Sequence, residues 1–420
     1  MRLSSFGRKF CQASGTLKLM DDLGEAFASE REMINLGGGN PSHIESIENL
    51  FRARLGVLAQ RPGEIERVMG EYGGPGGDTA FGESLARMLR AELGWDVGPQ
   101  NVCVTNGSQS AFFALFNLLA GPCDDGVHRK ILLPMAPEYI GYADVGVSPD
   151  LFVSRRPTID FLEDKLFKYR VDFTGLTVGP DIAAICVSRP TNPTGNVLTD
   201  DEVSALRELA RQADIPLILD DAYGAPFPNI IFGEVNPVWD EDMILCMSLS
   251  KLGLPGIRTG IVVASEEVVR ALCAVNAIMS LAPGGMGPAL AIDLIESGEI
   301  LRISREIIEP HYRDRAERAV TLLRDELADY DVFLHKPEGA IFVWLWCRGL
   351  PVRNAVLYER LKERGVVVVS GEYFFPGLED DDWVHKQECL RLTYAEDPEK
   401  VERGLRIVAE EVRRAYDGAQ

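Results

Sequence analysis

The sequence predicts an α/β protein, with a larger domain built on a mostly parallel sheet covered by helices and a smaller α/β domain beside it. Three observations predict this fold class. The chain has 420 residues, too many for one compact core. Hydrophobic residues make up 46% of it, enough to fill more than one core. From about residue 51 to residue 300, short apolar runs alternate with amphipathic helical stretches, a pattern typical of parallel strands joined by crossover helices.

The order of these patterns divides the chain into three segments. Residues 1–50 are predicted to form an N-terminal arm and part of the small domain. Residues 51–305 are predicted to form the large domain, and residues 306–420 the C-terminal part of the small domain. The small domain therefore combines segments from both ends of the chain.

Within the large domain, apolar runs of four to eight residues indicate buried strands, and longer amphipathic runs indicate helices. The predicted strands cover residues 102–104, 182–187, 215–219 and 244–247, and the predicted helices cover residues 110–119 and 200–213.

Towards the C-terminus the pattern changes to a long helical stretch followed by strands. Pro310 is expected to kink or break that helical stretch. A strand is predicted at residues 337–344, an alternating strand at residues 389–394, and a closing helix from residue 398 to about residue 416.

Composition excludes several classes of function. The formal net charge is −21, which argues against nucleic acid or an anionic membrane as a partner. The eight cysteines are scattered and the five histidines dispersed, so a metal site is not predicted. Several cysteines lie in apolar runs, as expected of small buried side chains in a reducing compartment. We see no signal-peptide pattern and no apolar stretch long enough for a membrane span, so a cytoplasmic location is expected.

The segment around Lys251 carries the strongest chemical signal. It runs Ser248-Leu-Ser250-Lys251-Leu-Gly-Leu-Pro-Gly-Ile-Arg258-Thr-Gly260, directly after a predicted strand. A lysine at a strand end, beside hydroxyls, glycines and an arginine suited to a phosphate dianion, could hold pyridoxal phosphate as a Schiff base. On its own, a lone lysine in such a loop is more often a solvated surface residue.

Other polar groups follow neighbouring predicted strands in the order that such a site requires. Asn192 follows one strand, and Asp220 and Tyr223 follow the next. Open α/β sheets bind ligands at these strand ends. The turn Thr105-Asn-Gly107-Ser108-Gln109 joins a strand to a helix, and its backbone N–H groups can bind an anion.

Together with Arg391 in the C-terminal strand, these residues resemble the fold-type I, aspartate aminotransferase-like family of pyridoxal phosphate enzymes, class I/II. The resemblance extends from about Leu36 to about Val412. It implies that Lys251 forms the Schiff base and that Asp220 pairs with the pyridine nitrogen. Tyr223 and Asn192 would hydrogen-bond the phenolic oxygen of the cofactor.

The resemblance also assigns the remaining groups around the cofactor. Tyr139 would stack on the pyridine ring. The phosphate would be bound by residues from the helix start, the lysine loop and the other subunit: Gly107, Ser108, Gln109, Ser248, Ser250, Arg258 and the partner-facing Tyr72. These assignments imply a homodimer with shared active sites. Arg391, helped by Asn192 and the Gly39 backbone, would bind the substrate carboxylate.

Three short motifs resemble a narrower subgroup, the valine–pyruvate aminotransferases. They are Met20-Asp-Asp-Leu23, Leu36-Gly-Gly-Gly-Asn-Pro41 and Phe374-Phe-Pro-Gly-Leu378. Dicarboxylate-specific relatives use a second arginine, and residues 277–288 contain no basic residue. An aliphatic amino acid is therefore the expected substrate, with valine and pyruvate giving 3-methyl-2-oxobutanoate and alanine.

Two other activities would keep the same cofactor residues. One is an aromatic or broad-specificity aminotransferase, and the other is a lyase of the aminocyclopropane-carboxylate synthase type. A cofactor-sensing transcriptional regulator is disfavoured, because the enzyme pattern begins by about Leu36 and no basic DNA-binding module is evident.

Overall fold

A computed structural model describes residues 2–11, 14–17, 20–21, 24 and 32–418 of the chain. Asp22 and Leu23 of the N-terminal subgroup motif lie outside these residues. In chain order the described strands are β1 Ile34–Asn35, β2 Val102–Thr105, β3 Gly121–Pro122, β4 His128–Leu133, β5 Phe152–Ser154, β6 Thr158–Phe161, β7 Leu166–Arg170, β8 Ile182–Ser188, β9 Leu217–Asp220, β10 Met243–Ser248, β11 Gly260–Val263, β12 Val332–His335, β13 Phe342–Cys347, β14 Val366–Val367, β15 Val369–Ser370 and β16 Cys389–Thr393.

Helices fill most of the segments between these strands. The described α-helices are Ser5–Phe10, Glu45–Gln60, Glu64–Gly70, Thr79–Leu93, Ser108–Leu119, Ile140–Ala143, Asp200–Gln212, Glu266–Ser280, Met286–Glu296, Glu299–Ile303, Glu309–Glu326, Asn354–Glu363 and Pro398–Asp417.

The central sheet has the strand order β2-β11-β10-β9-β8-β4-β3, and β5 also pairs with β4. Strands β10, β9, β8, β4 and β5 run parallel, whereas β11 is antiparallel to both of its neighbours. All seven residues of β8 are buried, which explains its continuous apolar sequence. The predicted mostly parallel sheet is confirmed.

The register of this sheet brings the predicted strand-end residues together. Ser188 at the end of β8 pairs with Asp220 at the end of β9, and Asp220 pairs with Cys246 in β10. Because these three strands are parallel, the loops that follow them leave the same edge of the sheet. The loop after β8 contains Asn192, and the loop after β10 contains Lys251.

The second sheet has the order β15-β16-β13-β12-β7-β6. Strands β6 and β7 come from the middle of the chain, within the segment predicted as the large domain, yet β7 pairs with β12 near the C-terminus. A segment from the middle of the chain therefore joins the second sheet, which the sequence pattern did not indicate. The domain boundaries at residues 50 and 305 stay a prediction.

The helical segment before β12 changes its hydrogen-bonding pattern at the predicted proline. A π-helical turn, Ser304–Ile308, separates helix Glu299–Ile303 from helix Glu309–Glu326. Pro310 lies in the first turn of helix Glu309–Glu326, where its missing N–H requires no partner.

Strand β13 begins at Phe342, five residues later than the sequence predicts. The main chain before β13 forms hydrogen bonds with the loop at residues 230–232 instead. Phe232 N donates to Glu338 O, and Ala340 N donates to Ile230 O. Ala340 also has a left-handed backbone, with φ of 60°, which interrupts an extended strand.

Helix Asp200–Gln212 shows how local sequence sets the layer that covers the central sheet. Thr199 and Glu202 form a capping box at its start. Val203, Leu206 and Ala210 are its buried apolar side chains, spaced three to four residues apart on one face. Within the described ranges, no helix is both long enough and apolar enough to cross a membrane.

Candidate active site

Lys251 lies at the centre of the strand-end cluster. It follows β10 in the 3₁₀ turn Ser250–Leu252, and its side chain is only partly exposed. Its Nζ donates a hydrogen bond to the carbonyl oxygen of Gly39 and lies 4.9 Å from the ring centroid of Tyr223. The amine therefore joins the lysine loop to the glycine-rich loop of the N-terminal segment.

The surroundings of Lys251 favour its neutral, nucleophilic form. Burial, followed by repulsion from Arg391 and Arg258, lowers its pKa to about 7. Asp220 acts in the opposite direction but has the smaller effect. An ordinary lysine, with a pKa of about 10.4, would carry a proton at neutral pH and could not act as a nucleophile or base.

Asp220 is the last residue of β9, and its side chain is buried. Its Oδ2 accepts a hydrogen bond of 2.6 Å from the Tyr142 hydroxyl, and its Oδ1 accepts one of 3.0 Å from the Ala222 N–H. Burial raises its pKa to about 6, while these two hydrogen bonds and Lys251 limit the rise. The carboxylate is therefore charged at neutral pH and can pair with a cationic ring nitrogen.

Arg391 occupies a buried position in β16, with 2% of its surface exposed. Its Nη1 donates to Asn192 Oδ1 at 2.8 Å, and its Nη2 donates to Gly37 O at 2.6 Å. The guanidinium carbon lies 4.1 Å from the ring centroid of Phe342 and 5.1 Å from that of Phe374. These contacts fix the planar fork of the guanidinium in one orientation.

No carboxylate neutralises this arginine in the described part of the chain. Burial lowers the pKa of Arg391 to about 10, so it stays charged at neutral pH. Its Nε is buried and has no hydrogen-bond partner among the described residues. A buried cation with a spare donor is suited to bind a carboxylate anion from outside the chain.

The turn before helix Ser108–Leu119 forms an anion cradle. Gly107 precedes the helix with φ of 86°, and a Cβ added there would lie 2.2 Å from Nη2 of Arg258. A Cβ added at Gly260 would lie 2.6 Å from the Ser108 N atom. Only glycine at both positions lets the arginine and strand β11 approach the helix start this closely. The unpaired N–H groups there favour a phosphate.

Hydroxyl and amide groups surround this cradle. Arg258 Nη1 lies 3.5 Å from Ser250 Oγ, and the Ser250 N–H donates to Ser248 Oγ at 3.1 Å. Gln109 Nε2 donates to Gly141 O at 3.0 Å, while its Oε1 is buried with no partner among the described residues. The predicted phosphate-binding groups of this chain are therefore gathered around one helix N-terminus.

Tyr139 and Tyr223 are the predicted aromatic groups of the site. Tyr139 makes an edge contact with Tyr142, with ring centroids 5.4 Å apart. Tyr223 is buried and makes an edge contact with Phe342 at 6.0 Å. Burial raises the pKa of both phenols, so each keeps its proton at neutral pH and can donate a hydrogen bond.

Tyr72 is the one predicted site residue that the chain leaves apart from the cluster. Its side chain is 83% exposed in the loop before the helix that begins at Thr79. Nearby in sequence, Met69 is 74% exposed.

The structure adds groups that the sequence did not identify. Tyr142 is one of them: it is fully buried, and its hydroxyl donates a hydrogen bond to Asp220. Gly37, Phe342 and Phe374 contact Arg391, although they are distant from it in sequence. The Leu36-Gly-Gly-Gly and Phe374-Phe-Pro-Gly motifs were signals for two of them, but a sequence motif does not show which side chain it contacts.

This arrangement fits pyridoxal phosphate. An amine with a lowered pKa lies near a buried carboxylate, and a helix N-terminus with an arginine offers a phosphate site that a single added Cβ would obstruct. Lys251 would hold the cofactor covalently and Asp220 would face its ring nitrogen. The Gly107–Gln109 turn, Ser250 and Arg258 would hold its phosphate.

Comparison with known proteins identifies the class. The chain matches the family model for aminotransferase class I and II over residues 31–408 and belongs to that family, whose members depend on pyridoxal phosphate. The valine–pyruvate aminotransferase of Escherichia coli (strain K12) is 50% identical to it over 416 residues, covering 99% of each protein. The resemblance predicted from the sequence is thus confirmed.

Solved structures agree with this assignment. A crystal structure of valine–pyruvate aminotransferase from Salmonella typhimurium LT2 matches with a TM-score of 0.88 and 49% identity, covering 96% of this chain and 99% of that one. A crystal structure of a protein from Psychrobacter arcticum 273-4 matches with a TM-score of 0.97 and 46% identity, covering 99% of both chains. The predicted fold type is confirmed.

Proposed function

We propose that this chain transfers an amino group between valine and pyruvate, giving 3-methyl-2-oxobutanoate and alanine. The observation that carries the proposal is a single buried carboxylate-binding cation, Arg391, beside a reactive lysine. The 50% identity with the Escherichia coli valine–pyruvate aminotransferase over nearly the whole chain supports the choice of substrates.

Each residue of the site has a defined task in this reaction. Pyridoxal phosphate, when bound, supplies a ring that withdraws electrons from the substrate Cα. Asp220 stabilises positive charge at the ring nitrogen, and Lys251 takes the proton from Cα and returns one there in the reverse direction. Arg391 and Asn192 hold the substrate carboxylate, which valine, alanine and both oxo acids share.

A cavity next to Lys251 has a partly apolar wall and would favour an uncharged side chain of a substrate that extended into it. It has a volume of about 480 Å³, and its apolar wall includes Ile44, Ile47 and Ile308. Besides Lys251, its basic residues are Arg258, assigned to the phosphate, and His43, which lies 2.5 Å from a carboxylate oxygen of Glu48. Among the described residues, this wall offers no further cation to pair with the second carboxylate of aspartate or glutamate.

The same proposal includes a homodimer in which Tyr72 of one subunit completes the phosphate site of the other. Large apolar side chains near Tyr72 in sequence, or on and just after helix Glu266–Ser280, are strongly exposed, as expected of a surface that a second copy covers. They are Met69 at 74%, Ile278 at 89%, Met279 at 52% and Leu281 at 61%. The eight cysteines are free thiols, which supports a location in the reducing cytoplasm.

The visible absorption of the bound cofactor tests the proposed reaction. Adding valine to the holoenzyme should shift the absorption band as the cofactor takes up the amino group, and adding pyruvate should restore the band. A band that valine does not shift, or that returns without an oxo acid, would contradict transamination of valine. Release of ammonia from the amino acid would point to a lyase instead.

A further inference from the structure

Glu138 is a buried acid that the proposed reaction does not use. It has no exposed surface and lies between Pro137 and the predicted ring-stacking Tyr139. Its Oε1 accepts a hydrogen bond of 3.0 Å from the Ser188 N–H, and its Oε2 shares a short hydrogen bond with Ser188 Oγ. In the described part of the chain it forms no ion pair, so its burial needs another explanation.

One end of Glu138 reaches the last residue of β8, the strand that precedes the loop containing Asn192. Ser188 is the last residue of β8, and its carbonyl accepts a hydrogen bond of 3.1 Å from the Thr191 hydroxyl, which shapes the turn leading to Asn192. The Glu138 carboxyl satisfies the Ser188 N–H beyond the end of the neighbouring strand β4. Asn192, in turn, accepts a hydrogen bond from Arg391.

The other end of Glu138 reaches the loop that covers Arg391. The backbone N–H of Glu138 donates to the carbonyl of Phe374 at 2.8 Å. The Phe374 ring centroid lies 5.1 Å from the guanidinium carbon of Arg391. Glu138 therefore connects two groups that touch Arg391, the Asn192 amide and the Phe374 ring, which come from distant parts of the chain.

We propose that Glu138 is a positioning residue for the carboxylate-binding subsite, acting through Ser188 on Asn192 and through its own backbone on Phe374. The inference rests on the proposed function only in assigning Arg391 to the substrate carboxylate. The proposed reaction assigns Glu138 no contact with substrate or cofactor, so we expect it to act on the affinity for the carboxylate rather than on proton transfer.

The charge state of Glu138 suits this role. Burial raises its pKa to about 8, so the group is a neutral carboxylic acid at pH 7. The titratable groups that face it are Asp220 in β9, Cys186 in β8 and Tyr142 in the short helix after Tyr139. A second negative charge beside Asp220 would be unfavourable there, whereas the neutral acid forms the same hydrogen bonds as an amide.

Two substitutions separate positioning from mere stability. Glu138→Gln keeps a neutral group of equal size that can accept from the Ser188 N–H, and Glu138→Ala removes it. We expect Glu138→Ala to raise KM for valine by about 5- to 100-fold with a smaller change in kcat, because a buried hydrogen-bonding partner is lost. Glu138→Gln should stay within about threefold of wild type at pH 7.

A second measurement uses the cofactor-free enzyme. Because the folded pKa of Glu138 is raised, its contribution to stability is full below the unfolded pKa of about 4.3 and is lost as pH rises through about 8. The Tm of wild type minus that of Glu138→Gln should therefore fall from pH 6 to pH 8 and then level off.

The outcomes are distinguishable. An unchanged KM in Glu138→Ala, or a Glu138→Gln variant as impaired as Glu138→Ala at pH 7, would overturn the positioning role. A Tm difference that rises with pH would show that the ionised carboxylate is the stabilising form. It would contradict a role for Glu138 as a neutral acid. A wild-type enzyme that rejects valine but uses another amino acid would contradict only the proposed substrate, since the same KM comparison can be made with that donor.

Discussion

The residues around Lys251 are coupled through charge. Arg391 and Arg258 each help to lower the pKa of the lysine, so the groups that bind the two anions also prepare the amine for reaction. Asp220 keeps its charge because Tyr142 and Ala222 donate hydrogen bonds to it. We therefore expect anion binding to change the pKa of the Lys251 amine. Substitution of Arg391, Arg258 or Asp220 should change that pKa as well.

The pH dependence of cofactor attachment tests this coupling. In the cofactor-free enzyme only the neutral Lys251 amine can attack added pyridoxal phosphate, so the attachment rate should rise with pH to a plateau with a midpoint near pH 7. Arg391→Ala removes a repelling charge and should move that midpoint to higher pH. Stopped-flow absorbance measures the rate, and a midpoint near pH 10 in wild type would contradict the account.

Asp220 and its neighbour Asp221 form a matched pair for testing the ring-nitrogen partner. Asp220→Asn removes a charge and should lower kcat by about 100- to 1000-fold. Burial raises the pKa of Asp221 well above its ordinary value. Asp221 is not assigned to the ring nitrogen, so Asp221→Asn should keep most activity. If Asp221→Asn were inactive and Asp220→Asn active, the two assignments would be reversed.

At the scale of elements, the turn between β2 and helix Ser108–Leu119 determines the geometry of the phosphate site. Gly107 combines a positive φ with the close approach of Arg258, and the two requirements can be separated by substitution. Gly63 has a similar φ of 78° before another helix, but a Cβ added there has no atom within 4 Å.

Gly107→Ala should weaken the binding of pyridoxal phosphate by at least about tenfold, because the added methyl group displaces the Arg258 guanidinium. Gly63→Ala carries similar backbone strain of about 1 kcal/mol and should lower the Tm without changing cofactor affinity. Titration of each cofactor-free variant with pyridoxal phosphate gives the comparison. Equal affinities in the two variants would show that the cradle at Gly107 does not hold the phosphate.

Much of the site could be predicted from local sequence, because parallel strands bring their carboxyl ends together. Asn192, Asp220 and Lys251 each follow an apolar run, and the structure places their loops at one edge of the central sheet. The contacts of Arg391 could not be predicted in this way. Its partners Gly37 and Asn192 lie 354 and 199 residues away, and such pairs depend on how the two sheets meet.

Strands show the same limit, since contacts between distant segments leave no signal in the local sequence. The strands of the central sheet are continuous apolar runs, which sequence identifies easily. Strand β6 is mostly exposed and follows β5 after three residues, so nothing in its pattern shows that it joins the other sheet. Strand β13 starts late because residues 338–340 bond to the loop at residues 230–232, a contact between distant segments.

At the scale of the whole molecule, the proposed homodimer would make each active site from two chains. A hybrid dimer tests this directly. One chain carries Lys251→Ala and keeps Tyr72; the other carries Tyr72→Ala and keeps Lys251. Copurified through two different tags, the hybrid has one site with both residues and should reach about half of wild-type activity, above either variant alone. A hybrid no more active than the Tyr72→Ala homodimer would contradict a shared site.

The central claim is that one cation binds the substrate carboxylate while the side-chain cavity offers none. Comparing kcat/KM for valine, alanine, aspartate and glutamate, with pyruvate or 3-methyl-2-oxobutanoate as acceptor, tests it most directly. We expect valine and alanine to exceed aspartate and glutamate in wild type. Arg391→Ala should lower the values for valine and alanine alike by about 30-fold or more. A wild-type enzyme that prefers aspartate to valine and alanine would contradict the account.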